Sequence, residues 1–131
     1  MICEDDVRFV VPREELDALI DAFLDDPRAD ALCLAYYLHR TAPYDALFLR
    51  GTAIQTASCY VVKPPLAAEL AALWLDAAEQ LRAGADPHRA MNDRIWFRLQ
   101  ERYVFLAPMR RAAQQASGYS DLETRIVTRS H

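Results

Sequence analysis

The sequence predicts an α/β domain, a sheet flanked by helices, because short apolar runs alternate along it with segments of helical periodicity. Apolar, strand-like stretches open the chain and recur at Ala31 to Leu38 and at Ile54 to Val62. Leu16, Leu19, Ile20, Phe23 and Leu24, and later Leu66, Leu70, Leu73, Trp74, Ala77 and Leu81, repeat at the spacing of one helix face. With 131 residues, 53% hydrophobic and 26% charged, the chain can bury one core, and disordered or fibrous classes are excluded. A single domain over 1–131 is expected.

Met1 to Val10 is an apolar run cut by Glu4-Asp5-Asp6 and then resumed, which reads as a short strand. Pro12 opens a helix that Asp26-Pro27 ends. Ala31 to Leu38 is a continuous apolar run, the pattern of a buried strand. Thr41 to Asp45 is loop-like, Ala46 to Arg50 a brief strand, Gly51 a turn, and Ile54 to Val62 a further strand. Pro64-Pro65 blocks pairing and starts the longest helix, which Gly84 stops in a left-handed conformation. Asn92 caps a helix over 93–102 with Ile95, Trp96 and Leu99 inward, and Tyr103 to Leu106 is a strand closed by Pro108. Residues 109–117 are expected to be irregular, and Ser120 with Glu123 forms a capping box for a short last helix.

No run approaches the roughly 18 apolar residues of a membrane span, and an N-terminus acidic by its fourth residue lacks the basic start of a signal peptide. The expected location is the cytoplasm or the periphery of the inner membrane. Cys3, Cys33 and Cys59 each lie in an apolar stretch and are expected to be reduced core thiols. The net charge of −4 hides an asymmetry: ten acids face three arginines in residues 1–30, and nine arginines face five acids in residues 82–131. A basic C-terminal portion suits phosphates, an anionic acceptor or a membrane surface, or is a solvated helix face. No motif for nucleic-acid binding accompanies it.

Three adjacent carboxylates repel one another and need a cation, a helix N-terminus or open water. A divalent metal is the sharpest option, since hard carboxylate oxygens suit Mg2+ or Mn2+ holding a diphosphate. The bland option is a solvated acidic turn.

Taken in order, Glu4-Asp5-Asp6-Val7, then Thr56-Ala57-Ser58-Cys59-Tyr60-Val61-Val62 before a helix, then Asn92-Asp93-Arg94, and finally Gln114 to Ser117 with Gly118-Tyr119-Ser120-Asp121-Leu122-Glu123, the chain resembles the bacterial glycosyltransferase family 25, the lipopolysaccharide-type galactosyltransferases, or a near relative. The likeness spans nearly the whole chain. It implies a GT-A type, Rossmann-like mixed sheet flanked by helices, and transfer of a sugar with inversion from a nucleotide-sugar donor to a glycan or lipid-linked acceptor, with Mn2+ or Mg2+ as cofactor.

Carried over by that resemblance, Glu4 and Asp6 are the candidate metal ligands. Glu4, Asp5, Gln114, Ser120 and Asp121 are the candidate donor-binding residues, with Gln115, Arg110 and Arg111 beside them. Asp93 is the candidate general base, a role that needs a carboxylate near the attacking hydroxyl. It equally suits the first turn of a helix, and Ser120-Asp121 equally suits a helix cap. His88 and His131 are weaker candidate ligands. Tyr36, Tyr37, Tyr44 and Trp96 suit sugar stacking or, more simply, the core.

The chain departs from the family in lacking the strands that precede the acidic motif. An inactive isolated chain that self-associates through Met1 to Val10 is therefore expected. The alternative function is a non-catalytic α/β remnant or partner-binding module.

Overall fold

The computed structural model describes residues 1–86, 92–120 and 125–127. The first apolar run forms two strands, β1 (Ile2–Cys3) and β2 (Val7–Phe9), with Asp5 and Asp6 in the turn between them. Helix α1 (Arg13–Asp25) starts directly after Pro12, whose carbonyl accepts its first bond from the Leu16 N–H at 3.0 Å. Leu16, Leu19 and Phe23 are buried, whereas Leu24, expected in the same stripe, is exposed. It sits about 100° round the helix from Phe23 and misses the sheet.

The centre of the molecule is a long antiparallel hairpin, β3 (Ala31–Pro43) and β4 (Phe48–Val62). Ala31 to Tyr36 are all buried, as a strand covered on both faces requires. The loop expected at Thr41 to Asp45 shrinks to the residues after Pro43, where the Asp45 carboxylate accepts the N–H groups of Leu47 at 2.7 Å and Phe48 at 2.8 Å. The turn expected at Gly51 does not occur. Gly51 lies inside β4, and a Cβ there would meet Cγ1 of the buried Ile54 at 2.1 Å, so the glycine serves close packing rather than chain reversal.

Four register shifts bend the hairpin. The largest lies between the pairs Ala35↔Cys59 and Tyr37↔Gln55, where Tyr36 alone opposes Thr56, Ala57 and Ser58. Thr56 there adopts φ +81°, a left-handed conformation that a β-branched residue rarely accepts.

Helix α2 (Pro64–Arg82) follows Lys63 and buries Leu66, Leu70, Leu73 and Ala77. Gly84, at φ +87°, ends it as expected: its N–H bonds the Leu81 carbonyl at 3.0 Å and the Ala85 N–H bonds Gln80 at 2.9 Å. The helix expected over 93–102 is two short segments, α3 (Asn92–Ile95) and α4 (Phe97–Gln100), with Trp96 between them. Trp96 and Leu99 are buried as expected and Ile95 partly so.

Strand β5 (Phe105–Pro108) runs two residues later than expected and includes Pro108. Tyr103 instead packs against α2, its hydroxyl donating to Glu69. β6 (Ala113–Gln115) replaces the expected irregular segment, and its register with β2 is Val7↔Gln115, Arg8↔Gln114 and Phe9↔Ala113. β7 (Gly118–Ser120) and β8 (Arg125–Val127) pair antiparallel where the capping box predicted a last helix. Ser120 pairs with Arg125, and Arg125–Val127 is strand, so no helix runs from a cap at Ser120 through these residues.

The result is a mixed α/β fold with a mixed sheet flanked by helices, in the order β1-β4-β3-β5. Among the described residues only β3 and β5 run parallel, and β5 also pairs antiparallel with the start of β4, so the sheet curls upon itself. Side-chain alternation splits the interior in two. Leu32, Leu34, Cys59, Val61 and Leu106 meet α1, while Ala31, Cys33, Ile54, Tyr60 and Phe105 meet α2, Trp96 and Leu99.

Candidate functional site

The acidic turn is built by three anchors. The Glu4 N–H donates to the Ser58 carbonyl at 2.8 Å, tying the end of β1 to the bulge of β4. The Ala116 N–H donates to the Asp6 carbonyl at 2.7 Å, and the β2–β6 ladder continues from there. Gln115 Nε2 donates to Glu4 Oε2 at 2.7 Å across 111 residues of sequence. Backbone therefore fixes the turn on both sides, while the Glu4 and Asp5 side chains face solvent.

Asp6 differs from its neighbours. It is half-buried, and its Oδ1 is shielded from solvent without a hydrogen-bond partner among the described residues. A shielded carboxylate oxygen with no donor is costly and invites a cation. Ser58 Oγ, in the adjacent bulge, is likewise buried and unpartnered. The left-handed Thr56 lies two residues further along β4, and strain of that kind gathers at functional sites.

Of the predicted residues, Glu4, Asp5, Asp6 and Gln115 thus come together at one corner, where β1, the β4 bulge and the β2–β6 ribbon meet, while Gln114 is the register partner of Arg8, on the face of β6 opposite to Gln115. The side chains of Asp93 and Ser120, and all of Asp121, His88 and His131, lie outside the described residues. Arg110 turns away toward α1, 3.8 Å from Glu15. Arg111 stacks its guanidinium 5.2 Å from the centre of the Tyr36 ring, and the Tyr36 hydroxyl donates to the Pro108 carbonyl at 2.6 Å. Burial raises the Tyr36 phenol above its ordinary pKa, and Arg111 partly offsets that.

Tyr36 and Trp96 are core residues, and Tyr44 is bound to Asp26. Tyr37 is exposed, edge-on to His39 at 4.7 Å. The expectation of three buried cysteines fails at Cys3, which is exposed because β1 is an edge strand; Cys33 and Cys59 are buried.

Among the described residues no three His, Cys, Asp or Glu side chains gather into a metal-holding group. Two carboxylates nonetheless fit Mg2+ or Mn2+, which commonly take one or two protein carboxylates and complete their shell with phosphate and water. The orphaned Asp6 oxygen and the exposed Glu4 carboxylate match that donor set.

Sequence reasoning missed two features. The bulge at Thr56 to Ser58 sits inside a stretch that reads as a plain strand, and only its small residues hint at it. Gln100 was hidden inside a helical stripe. Its Oε1 accepts the Ile54 N–H at 2.7 Å and its Nε2 donates to the Ile54 carbonyl at 2.8 Å. Among the described residues no helix is long and apolar enough to cross a membrane. No protein-family model matches the chain, and no curated protein or solved structure matches it significantly.

Proposed function

We propose that this chain carries the donor site of a metal-dependent, inverting glycosyltransferase of the family 25 type, GT-A-like, at the acidic turn. The observation that carries the proposal is that the Gln115 amide reaches Glu4, 111 residues away in sequence, at the turn where Asp6 carries a shielded carboxylate oxygen that has no hydrogen-bond partner among the described residues.

In this reading Glu4 and Asp6 hold Mn2+ or Mg2+, which when bound neutralises the charge growing on the departing nucleoside diphosphate. Gln115, on β6, positions its amide donor beside the diphosphate, with Asp5, Gln114, Ser120 and Asp121 contributing to the donor site. Asp93 takes the proton from the attacking hydroxyl of a glycan or lipid-linked acceptor.

Calorimetry tests this directly. Mn2+ is expected to bind weakly alone and at least tenfold more tightly with a nucleoside diphosphate, and Asp6→Asn removes the enhancement. Equal binding by parent and variant, or no enhancement in either, would return the chain to the alternative of a non-catalytic partner-binding module.

A further inference from the structure

We propose that Cys3 and Cys59 form a reversible cross-strand disulfide, a redox-sensitive clasp that holds β1, and with it the acidic turn, against β4. The inference is independent of glycosyl transfer.

The two residues are register partners on adjacent antiparallel strands, and their Sγ atoms lie 2.9 Å apart as free thiols. The Glu4 N–H bonds the Ser58 carbonyl, which makes 4↔58 a hydrogen-bonded position. Alternation along an antiparallel ladder then makes 3↔59 a non-hydrogen-bonded pair, where facing side chains approach most closely. The Cα separation typical of such pairs, about 4.5 Å, falls within the range a disulfide spans. The register and the 2.9 Å approach of the two sulfurs thus place the pair within reach of a disulfide.

Exposure divides the roles. Cys3 is open to solvent and Cys59 is fully buried. A low-molecular-weight disulfide, RSSR, therefore meets Cys3 first. The Cys3 thiolate attacks one sulfur of RSSR, the S–S bond breaks, and one thiolate leaves and takes up a proton. The Cys59 thiol then gives its proton to solvent and its sulfur attacks Cys3 Sγ, forming the Cys3–Cys59 bond and expelling the second thiolate. Two protein thiols are oxidised, one RSSR is reduced, and two RSH result.

Cys33 is excluded from this exchange. It is fully buried and belongs to the opposite face of the sheet, beside Tyr60 and Trp96. Burial, and for Cys59 the contact with Cys3 as well, raises both buried thiols above the ordinary range. Cys59 is in consequence a poor leaving group, and the clasp should open slowly once formed.

β1 pairs with β4 at Ile2↔Tyr60 and Cys3↔Cys59, so a covalent bond at the second position adds a cross-link to the hydrogen bonds that dock the acidic turn. Closing so long a loop restricts the unfolded chain strongly. The test is oxidation of the 131-residue chain with glutathione disulfide, followed by alkylation and peptide mass spectrometry. The expected products are a Cys3–Cys59 linked peptide with Cys33 alkylated, and a Tm raised by about 10 °C that dithiothreitol reverses. Cys3→Ser, a change at an exposed position, should yield neither. A stable glutathione adduct on Cys3, a Cys33-containing bond, a dimer linked through Cys3, or three unmodified thiols would each overturn the proposal.

Discussion

Ile54 and Thr56 lie two residues apart on β4, yet the strand treats them in opposite ways. β5 stops at Phe105, opposite Gly51, which leaves the Ile54 peptide without a neighbouring strand on that side. Gln100 supplies the missing partner by bonding both the N–H and the carbonyl, and Trp96 Nε1 adds a second donor to the carbonyl at 2.9 Å. Every polar group of that peptide is satisfied within the core. At Thr56 the backbone is left-handed, and the neighbouring Ser58 hydroxyl and Asp6 carboxylate oxygen are buried without partners. The peptide at Ile54 is completed by side chains of the protein itself, whereas the bulge at Thr56 leaves polar groups beside it without partners among the described residues.

The largest effect should come from breaking the closed side. Trp96 is fully buried, with ring centres 5.4 Å from both Tyr60 and Phe105 in edge-to-face contact. Trp96→Ala leaves a cavity between α2 and the sheet and removes one donor from the Ile54 carbonyl. Denaturant unfolding should report a loss of about 4 kcal/mol. A loss under about 1 kcal/mol would mean that Trp96 is not the keystone of that face.

A smaller effect separates a carboxylate that is fully partnered from one that is not. Asp26 accepts the Arg28 N–H and guanidinium at 2.8–2.9 Å and the Tyr44 hydroxyl at 2.6 Å, joining the end of α1 to the hairpin loop. Hydrogen bonds from Arg28, then from Tyr44, hold its carboxyl well below the ordinary range. The folded state thus binds this proton less readily than the unfolded one, whose carboxyl titrates near about 3.9. The stabilisation is fully present above that value and fades as pH falls toward the lower folded pKa. Asp26→Asn should lower Tm by about 4 °C at pH 7, and the gap to the parent should narrow steadily below about pH 4. A pH-independent gap would assign the effect to packing instead of charge.

Much of this was legible in the chain. Pro12, Pro64-Pro65 and Gly84 marked helix ends because each acts locally, through its own φ and its own missing or exposed group. The run Ala31 to Tyr36 declared a strand buried on both faces. What failed was non-local. Gly51 looked like a turn because the tight contact it permits is with Ile54 in the folded strand. Segment 109–117 looked irregular because β6 exists only by pairing with β2, about a hundred residues earlier. Ser120 and Glu123 matched a cap by spacing, but pairing with Arg125 decided the backbone there. The candidate site was legible as residue types, whereas the orphaned oxygen and the bulge beside it were visible only in three dimensions.

The smallest expected stability change is the most telling for the open side. Asp6 carries a carboxylate oxygen without a donor, next to Asp5 and two residues from Glu4, so its charge is opposed by its neighbours and relieved by nothing among the described side chains. Its one clear structural role is its carbonyl, which accepts the Ala116 N–H and survives any side-chain substitution. Asp6→Asn keeps the shape, removes one of three adjacent charges and leaves that backbone bond in place. Scanning calorimetry should therefore find a Tm within about 2 °C of the parent or slightly above it. On the proposed function, the same variant should lose Mn2+-dependent binding of a nucleoside diphosphate, which calorimetry reads. Stability kept while binding is lost is the signature of a residue retained for a ligand. A drop of more than about 5 °C would instead make Asp6 a structural member of the turn, and would erase the distinction between the closed and the open side of β4.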